Sequence, residues 1–105
     1  MEMYEIIATK KFECSLKKIK DKFIRNRILE KISELFEDPE NKGKQLKGVW
    51  KVRVHGTVFE LRLREMKIGD WRIFYYVDHA QKEVWLLYVD HRSRIFKRKL
   101  FLNFP

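Results

Sequence analysis

The sequence is poor in the residues that staple or punctuate a chain: one cysteine, two prolines and four glycines in 105 positions. With Cys14 alone no internal disulfide can form, which suits a reducing compartment. Cys14 falls among apolar positions of a helical stretch and reads as a buried structural thiol rather than a nucleophile. No apolar run approaches the ~18 residues of a membrane span, so no membrane segment is expected. The opening Met1-Glu2-Met3-Tyr4-Glu5 has no basic stretch followed by an apolar block, so neither is a signal peptide, and the expected location is the cytoplasm. Linkers, repeats and low-complexity tracts are absent. There is no Cys/His cluster, no histidine pair at helical spacing and no carboxylate set with metal-loop spacing; His55, His79 and His91 are scattered. Glycine-rich phosphate loops are missing, and Ser15, Ser33 and Ser93 lack nucleophile-elbow context. Metal-, nucleotide- and serine-dependent chemistry is disfavoured, and no metal or cofactor is expected.

What the chain does have is aromatic and basic. Apolar residues make up 45 %, with eight Phe, four Tyr and three Trp, enough for a compact core in one domain spanning 1–105. Twenty-four Lys and Arg face fifteen Asp and Glu, a net charge of +9. That balance favours polyanionic partners and salt-sensitive association.

Periodicity sets the order of elements. Tyr4 to Ala8 reads as an opening strand, and Thr9 as the N-cap of a helix. Phe12, Leu16, Ile19 and Phe23 recur at helical spacing with Lys17, Lys18, Lys20 and Lys22 between them. Asp21 is placed to cap a second helix, whose stripe is Ile24, Ile28, Ile32, Leu35 and Phe36. Asp38-Pro39 ends it. The pair reads as an antiparallel hairpin or as one kinked helix. After the polar connection 40–48 the period changes to 2. Trp50, Val52 and Val54 alternate with Lys51, Arg53 and His55; His55-Gly56-Thr57 is a turn; Phe59, Leu61 and Leu63 alternate with Glu60, Arg62 and Arg64. Lys67-Ile68-Gly69-Asp70 is the next turn, and Trp71 to Val77 and Val84 to Val89 form a hairpin across Asp78-His79-Ala80-Gln81. The tail from Ile95 to Leu102 is a last strand or a short helix. The expected fold is α+β, with two N-terminal helices on one face of a twisted antiparallel sheet of four to five strands. The other face is left available and carries the arginines.

Such a surface has a chemistry open to it. RNA phosphodiester cleavage needs no metal if the 2′-hydroxyl loses a proton, the leaving oxygen gains one and the phosphorane charge is stabilised. Arginine suits the last task, because its planar fork binds phosphate oxygens. A lysine or histidine among other cations can serve as base, and aromatic rings can stack on splayed bases. Alternation places Arg72, Phe74 and Tyr76 on one face, Arg62 and Arg64 together on a neighbour, and Asp90-His91-Arg92-Ser93-Arg94 at the end of the next strand. The bland readings stay open: Arg62 and Arg64 as a solvated strand face, His91 as a surface histidine, Lys17 to Lys31 as a solvated helix face, and most of Trp71, Phe74, Tyr75, Tyr76 and Trp85 as core.

Four segments in order resemble one family. Gly69-Asp70-Trp71-Arg72-Ile73-Phe74-Tyr75-Tyr76 resembles the "GdyRviY" strand of the RelE/ParE toxin superfamily. Leu87 to Phe96 resembles its "hR…vY" motif. Asp38-Pro39 with Gly43-Lys44-Gln45-Leu46-Lys47-Gly48 resembles its "dP…g..Lkg" stretch, and Phe59-Glu60-Leu61-Arg62 the "ELR" strand of the HigB and phage-derived branch. The resemblance implies a cytoplasmic toxin of a type II toxin–antitoxin system, held by a cognate antitoxin in a hetero-oligomer. In the RelE and HigB branches it implies metal-independent cleavage of mRNA on the ribosome, which inhibits translation. Arg72 then takes the position of the transition-state arginine and Arg92 that of the "hR" arginine. The closing tyrosine is replaced by Phe96, which stacks but cannot exchange a proton, so that role passes to His91, Tyr76 or a lysine; Lys47 and Lys51 are the lysine candidates. Arg62, Arg64, Tyr76, Arg94 and Phe96 complete the expected substrate-binding set. The alternatives are a ParE-like poison that binds DNA gyrase, and a catalytically weak member acting mainly in its antitoxin complex.

Overall fold

The computed structural model describes residues 3–95. Phe96 and the basic, apolar tail expected beyond it lie outside the described residues. Strand β1 (Glu5–Ala8) leads into helix α1 (Lys10–Lys17) and helix α2 (Lys22–Ser33), followed by a 3-10 turn, Glu34–Phe36. Strands β2 (Lys44–Gln45), β3 (Trp50–Val54), β4 (Thr57–Leu61), β5 (Arg64–Ile68), β6 (Trp71–Asp78) and β7 (Glu83–His91) follow, then the single helical turn α3 (Arg92–Ile95).

Five strands form one sheet in the order β1-β7-β6-β5-β2. The chain is α+β as expected, although β1 joins β7 in parallel while the other pairings are antiparallel. Both predicted helix caps form: Thr9 Oγ1 accepts the Phe12 N–H, and Asp21 accepts those of Phe23 and Ile24. Thr9 also ties α1 to the sheet, donating to the Leu86 carbonyl at 2.8 Å. Beyond Leu86 the short β1 no longer covers β7, and Ser15 Oγ of α1 accepts the Val89 N–H at 3.2 Å, so helix side chains satisfy part of this edge. The main core lies between helices and sheet, with Phe12, Ile28, Ile32, Leu35, Ile73, Tyr75, Val84 and Val89 all buried.

Several expectations are corrected. Cys14 is exposed, because α1 turns Phe12 and Ser15 inward instead. Phe23 is 68 % exposed: α1 stops at Lys17, and the residue falls in the first turn of α2, out of phase with Ile28 and Ile32. Residues 50–61 do not extend the main sheet. They form a separate two-stranded hairpin, β3–β4, turned at His55-Gly56, where both residues have positive φ (49° and 84°) as a two-residue hairpin turn requires. The second face of the sheet is therefore not simply open. The hairpin covers its middle through Val52, Trp50, Val54 and Leu61 against Leu63, Leu87, Tyr76 and Trp85. Arg62 and Arg64 do not share a strand face, since β4 ends at Leu61 and β5 begins at Arg64, with the fully buried Leu63 between. Lys67 and Ile68 belong to β5 rather than to a turn, which is reduced to Gly69-Asp70.

Candidate active site

A cavity of about 450 Å³ opens at one end of the hairpin-covered face, lined by Leu46, Trp50, Glu65, Lys67, Arg72, Phe74, Arg92 and Ile95. Its floor is β5 and β6. Lys67 stands directly opposite Arg72, and Glu65 opposite Phe74. Arg72 is held half-buried by its own turn, donating to the carbonyls of Gly69 at 2.7 Å and Trp71 at 3.0 Å, with Glu65 Oε1 3.9 Å from its Nε. Arg92 enters from α3, whose backbone N–H bonds the Asp70 carbonyl at 2.8 Å. Its guanidinium makes a solvent-exposed pairing with Asp70 at 3.5 Å. Trp50 forms the far wall, with its indole N–H donating to the Lys47 carbonyl at 3.1 Å. Three cations thus share a cavity with one carboxylate. Like charges placed directly opposite on a sheet repel; Glu65 near Arg72 and Asp90 opposite it offset part of that repulsion, and the remaining positive charge can accommodate an anion.

The expected site residues divide. Arg72 and Arg92 meet in this cavity. His91 does not join them: its ring stands edge-on to Trp71, centroids 5.3 Å apart, and Trp71 packs on the helix side of the sheet. The reason is a bulge in β7. Phe74 pairs with Tyr88 and Tyr75 with Leu86, which leaves Leu87 unopposed and reverses the faces of every later β7 residue. Arg94 also turns to the Trp71 side, over its ring at 5.6 Å, and binds Asp90 at 2.6 Å. Tyr76 packs under the hairpin and lines a different cavity. Arg62 is exposed on the rim of a separate shallow depression. Arg64 donates to the carbonyls of Glu40 and Gly43. Lys51 alternates with Trp50 and faces outward, opposite Glu60, and Lys47 is exposed in the preceding connection. Sequence reasoning missed Glu65 and Lys67. Their alternation with buried Met66 was legible, but assigning Lys67 to a turn hid it.

Behind the cavity, Asp90 anchors α3. Burial pushes its carboxyl up, but hydrogen bonds from Arg94, the Tyr88 hydroxyl and the His91 N–H outweigh it and hold the group below its ordinary range. A depressed carboxylate contributes stability that is whole above its unfolded value, about 4, and is lost as pH falls through the lower folded value. Asp90→Asn is expected to lower stability at neutral pH by about 1–2 kcal/mol and to flatten the acid limb of the curve. Urea titrations at a series of pH values check both.

Residues 6–96 match the model of the family described as ParE toxin of type II toxin-antitoxin system, parDE. No curated protein matches the chain. Among solved structures, the RelBE2 toxin-antitoxin complex from Mycobacterium tuberculosis aligns at a TM-score of 0.68 and 24 % identity, covering 89 % of this chain and 95 % of that one. The archaeal RelE-RelB complex from Pyrococcus horikoshii aligns at 0.67 and 23 %, covering 88 % and 98 %. The isolated E. coli RelE toxin aligns at 0.64 and 17 %, covering 93 % and 96 %. At these identities the likeness is one of fold. With the family match spanning all but the ends of the sequence, the chain belongs to the ParE toxin family of type II toxin–antitoxin systems, within the RelE/ParE superfamily.

Proposed function

We propose that this toxin is a metal-independent endoribonuclease that cleaves mRNA on the ribosome and that a cognate antitoxin neutralises it. The observation that supports this reading is the convergence of Lys67, Arg72 and Arg92 with Glu65 and Trp50 in one cavity. Arg72 and Arg92 grip the non-bridging oxygens of the scissile phosphate and stabilise the phosphorane. Glu65 takes the 2′-hydroxyl proton; the 2′-oxygen attacks phosphorus, the bond to the 5′-oxygen breaks, and Lys67 supplies a proton to that leaving oxygen. The products are a 2′,3′-cyclic phosphate and a 5′-hydroxyl. Trp50 offers a ring on which a neighbouring base can stack. The net charge of +9 favours approach to the polyanionic ribosome, and the same cationic face suits an acidic antitoxin segment.

The family description favours a second reading, a ParE-like toxin that binds DNA gyrase. Primer extension on mRNA from cells expressing the toxin separates the two. Codon-phased cuts ending in cyclic phosphate are expected. Growth arrest with DNA damage and intact mRNA would select the gyrase reading, and no arrest at all the weak-member reading.

A further inference from the structure

At the other end of the β3–β4 hairpin lies a second cavity, of about 400 Å³, with the opposite character. Arg72 in the first cavity and Asp78 in the second are six positions apart on β6, about 20 Å of strand. Tyr76 and Trp85 are a directly opposed pair across β6 and β7, as are Asp78 and Glu83, and all four line the cavity. Phe59 of the hairpin, 45 % exposed, is a third ring on its wall. Trp85 is oriented by its own neighbour, its indole N–H donating to Glu83 Oε1 at 3.3 Å, and Asp78 Oδ1 accepts the Gln81 N–H at 3.0 Å. These bonds use one oxygen of each carboxylate.

Two carboxylates directly opposed on adjacent strands repel each other. In a protein of net charge +9 they sit beside three aromatic rings, with the His55 imidazole also on the cavity wall. Rings and carboxylates around one space are the surroundings that stabilise an organic cation, the rings through their negative faces and the acids through charge. We propose that this cavity is a binding site for an alkylammonium group, carried either by a free polyamine or by a lysine side chain of a protein. An ammonium between Asp78 and Glu83 turns their repulsion into attraction, and its alkyl stem lies along Tyr76, Trp85 and Phe59. The site is independent of the anionic-ligand cavity and does not depend on the nuclease reading.

The test uses the whole protein with butane-1,4-diamine, N-acetyl-lysine methylamide and the neutral butane-1,4-diol as probes, read by the indole N–H resonances, with Trp85→Phe identifying the Trp85 signal. Saturable shifts of that signal by the amines and not by the diol are expected. Asp78→Asn with Glu83→Gln is expected to weaken amine binding about tenfold or more, and Phe59→Ala, at a ring that is 45 % exposed, is expected to weaken it as well. Tighter binding of the diamine identifies a free polyamine, and tighter binding of the lysine amide a protein side chain. Equal shifts with the diol, no saturation, or unchanged affinity in the folded Phe59→Ala variant would overturn the proposal.

Discussion

Arg72→Ala is expected to lower mRNA cleavage by about 10²–10³ and to abolish growth arrest, while leaving the fold nearly intact. The size follows from the role. Removing one donor aimed at developing charge in a partly desolvated site costs about 3–4 kcal/mol of transition-state stabilisation. The native protein loses little, because among the described residues the Arg72 side chain bonds the nearby carbonyls of Gly69 and Trp71 and lies 3.9 Å from Glu65. Arg72→Lys should recover only part of the rate, since a point charge cannot make the two-pronged contact of a guanidinium. Arg92→Ala should cost less, about tenfold, because that side chain is 62 % exposed and solvent screens its charge. Single-turnover cleavage by purified protein on programmed ribosomes, with melting temperatures measured beside it, gives both quantities. An Arg72→Ala protein that melts normally and cleaves at the native rate would remove the phosphate-gripping role.

How far these residues could be placed from sequence depends on where alternation carries information. In β6 it does: Ile73, Tyr75 and Val77 go to the helix core and Arg72, Phe74 and Tyr76 to the other face, as read. Beside it, Leu86-Leu87-Tyr88-Val89 is apolar throughout, so a period of 2 says nothing there about which residue faces which way. The bulge falls in this stretch, and it decides that Val89 is core and that His91 leaves the side of Arg72. Alternation also cannot report pairing partners. Trp50 to Leu61 reads equally well as two strands of the main sheet and as a detached hairpin. What separates them is the buried Leu63, whose carbonyl accepts the Leu46 N–H at 2.9 Å, so that β5 pairs with β2 instead of continuing from β4. The helix caps were legible because Thr9 and Asp21 act locally. Cys14 and Phe23 were not, because a shift of a few residues in a helix end changes which side is inward.

The connection from Asp38 to Gln45, which delivers Leu46 and Trp50 to the cavity, is expected to be the most sensitive backbone in the molecule. It has little core of its own; besides the pairing of Lys44-Gln45 with β5, three side chains among the described residues hold it. The buried Tyr75 hydroxyl donates to the Pro39 carbonyl at 2.8 Å, Arg64 donates to the carbonyls of Glu40 and Gly43, and His79 meets Glu40 at 2.7 Å. Gly43 is packed so closely that a Cβ there would overlap the Tyr75 hydroxyl and lie 2.8 Å from the Glu65 carbonyl oxygen. That carbonyl belongs to β5, paired on both sides, and cannot retreat cheaply. Gly43→Ala is therefore expected to cost about 2–3 kcal/mol, or about 10–20 °C in melting temperature for a domain of this size. Tyr75→Phe alone should cost about 1–2 kcal/mol, by orphaning the Pro39 carbonyl. Together the two should cost less than their sum, because deleting the hydroxyl removes one of the two obstacles to the new methyl group while the Glu65 carbonyl remains. Urea denaturation of the two single variants and the double variant measures that coupling; strictly additive losses would show that Gly43 and the Tyr75 hydroxyl do not compete for the same space.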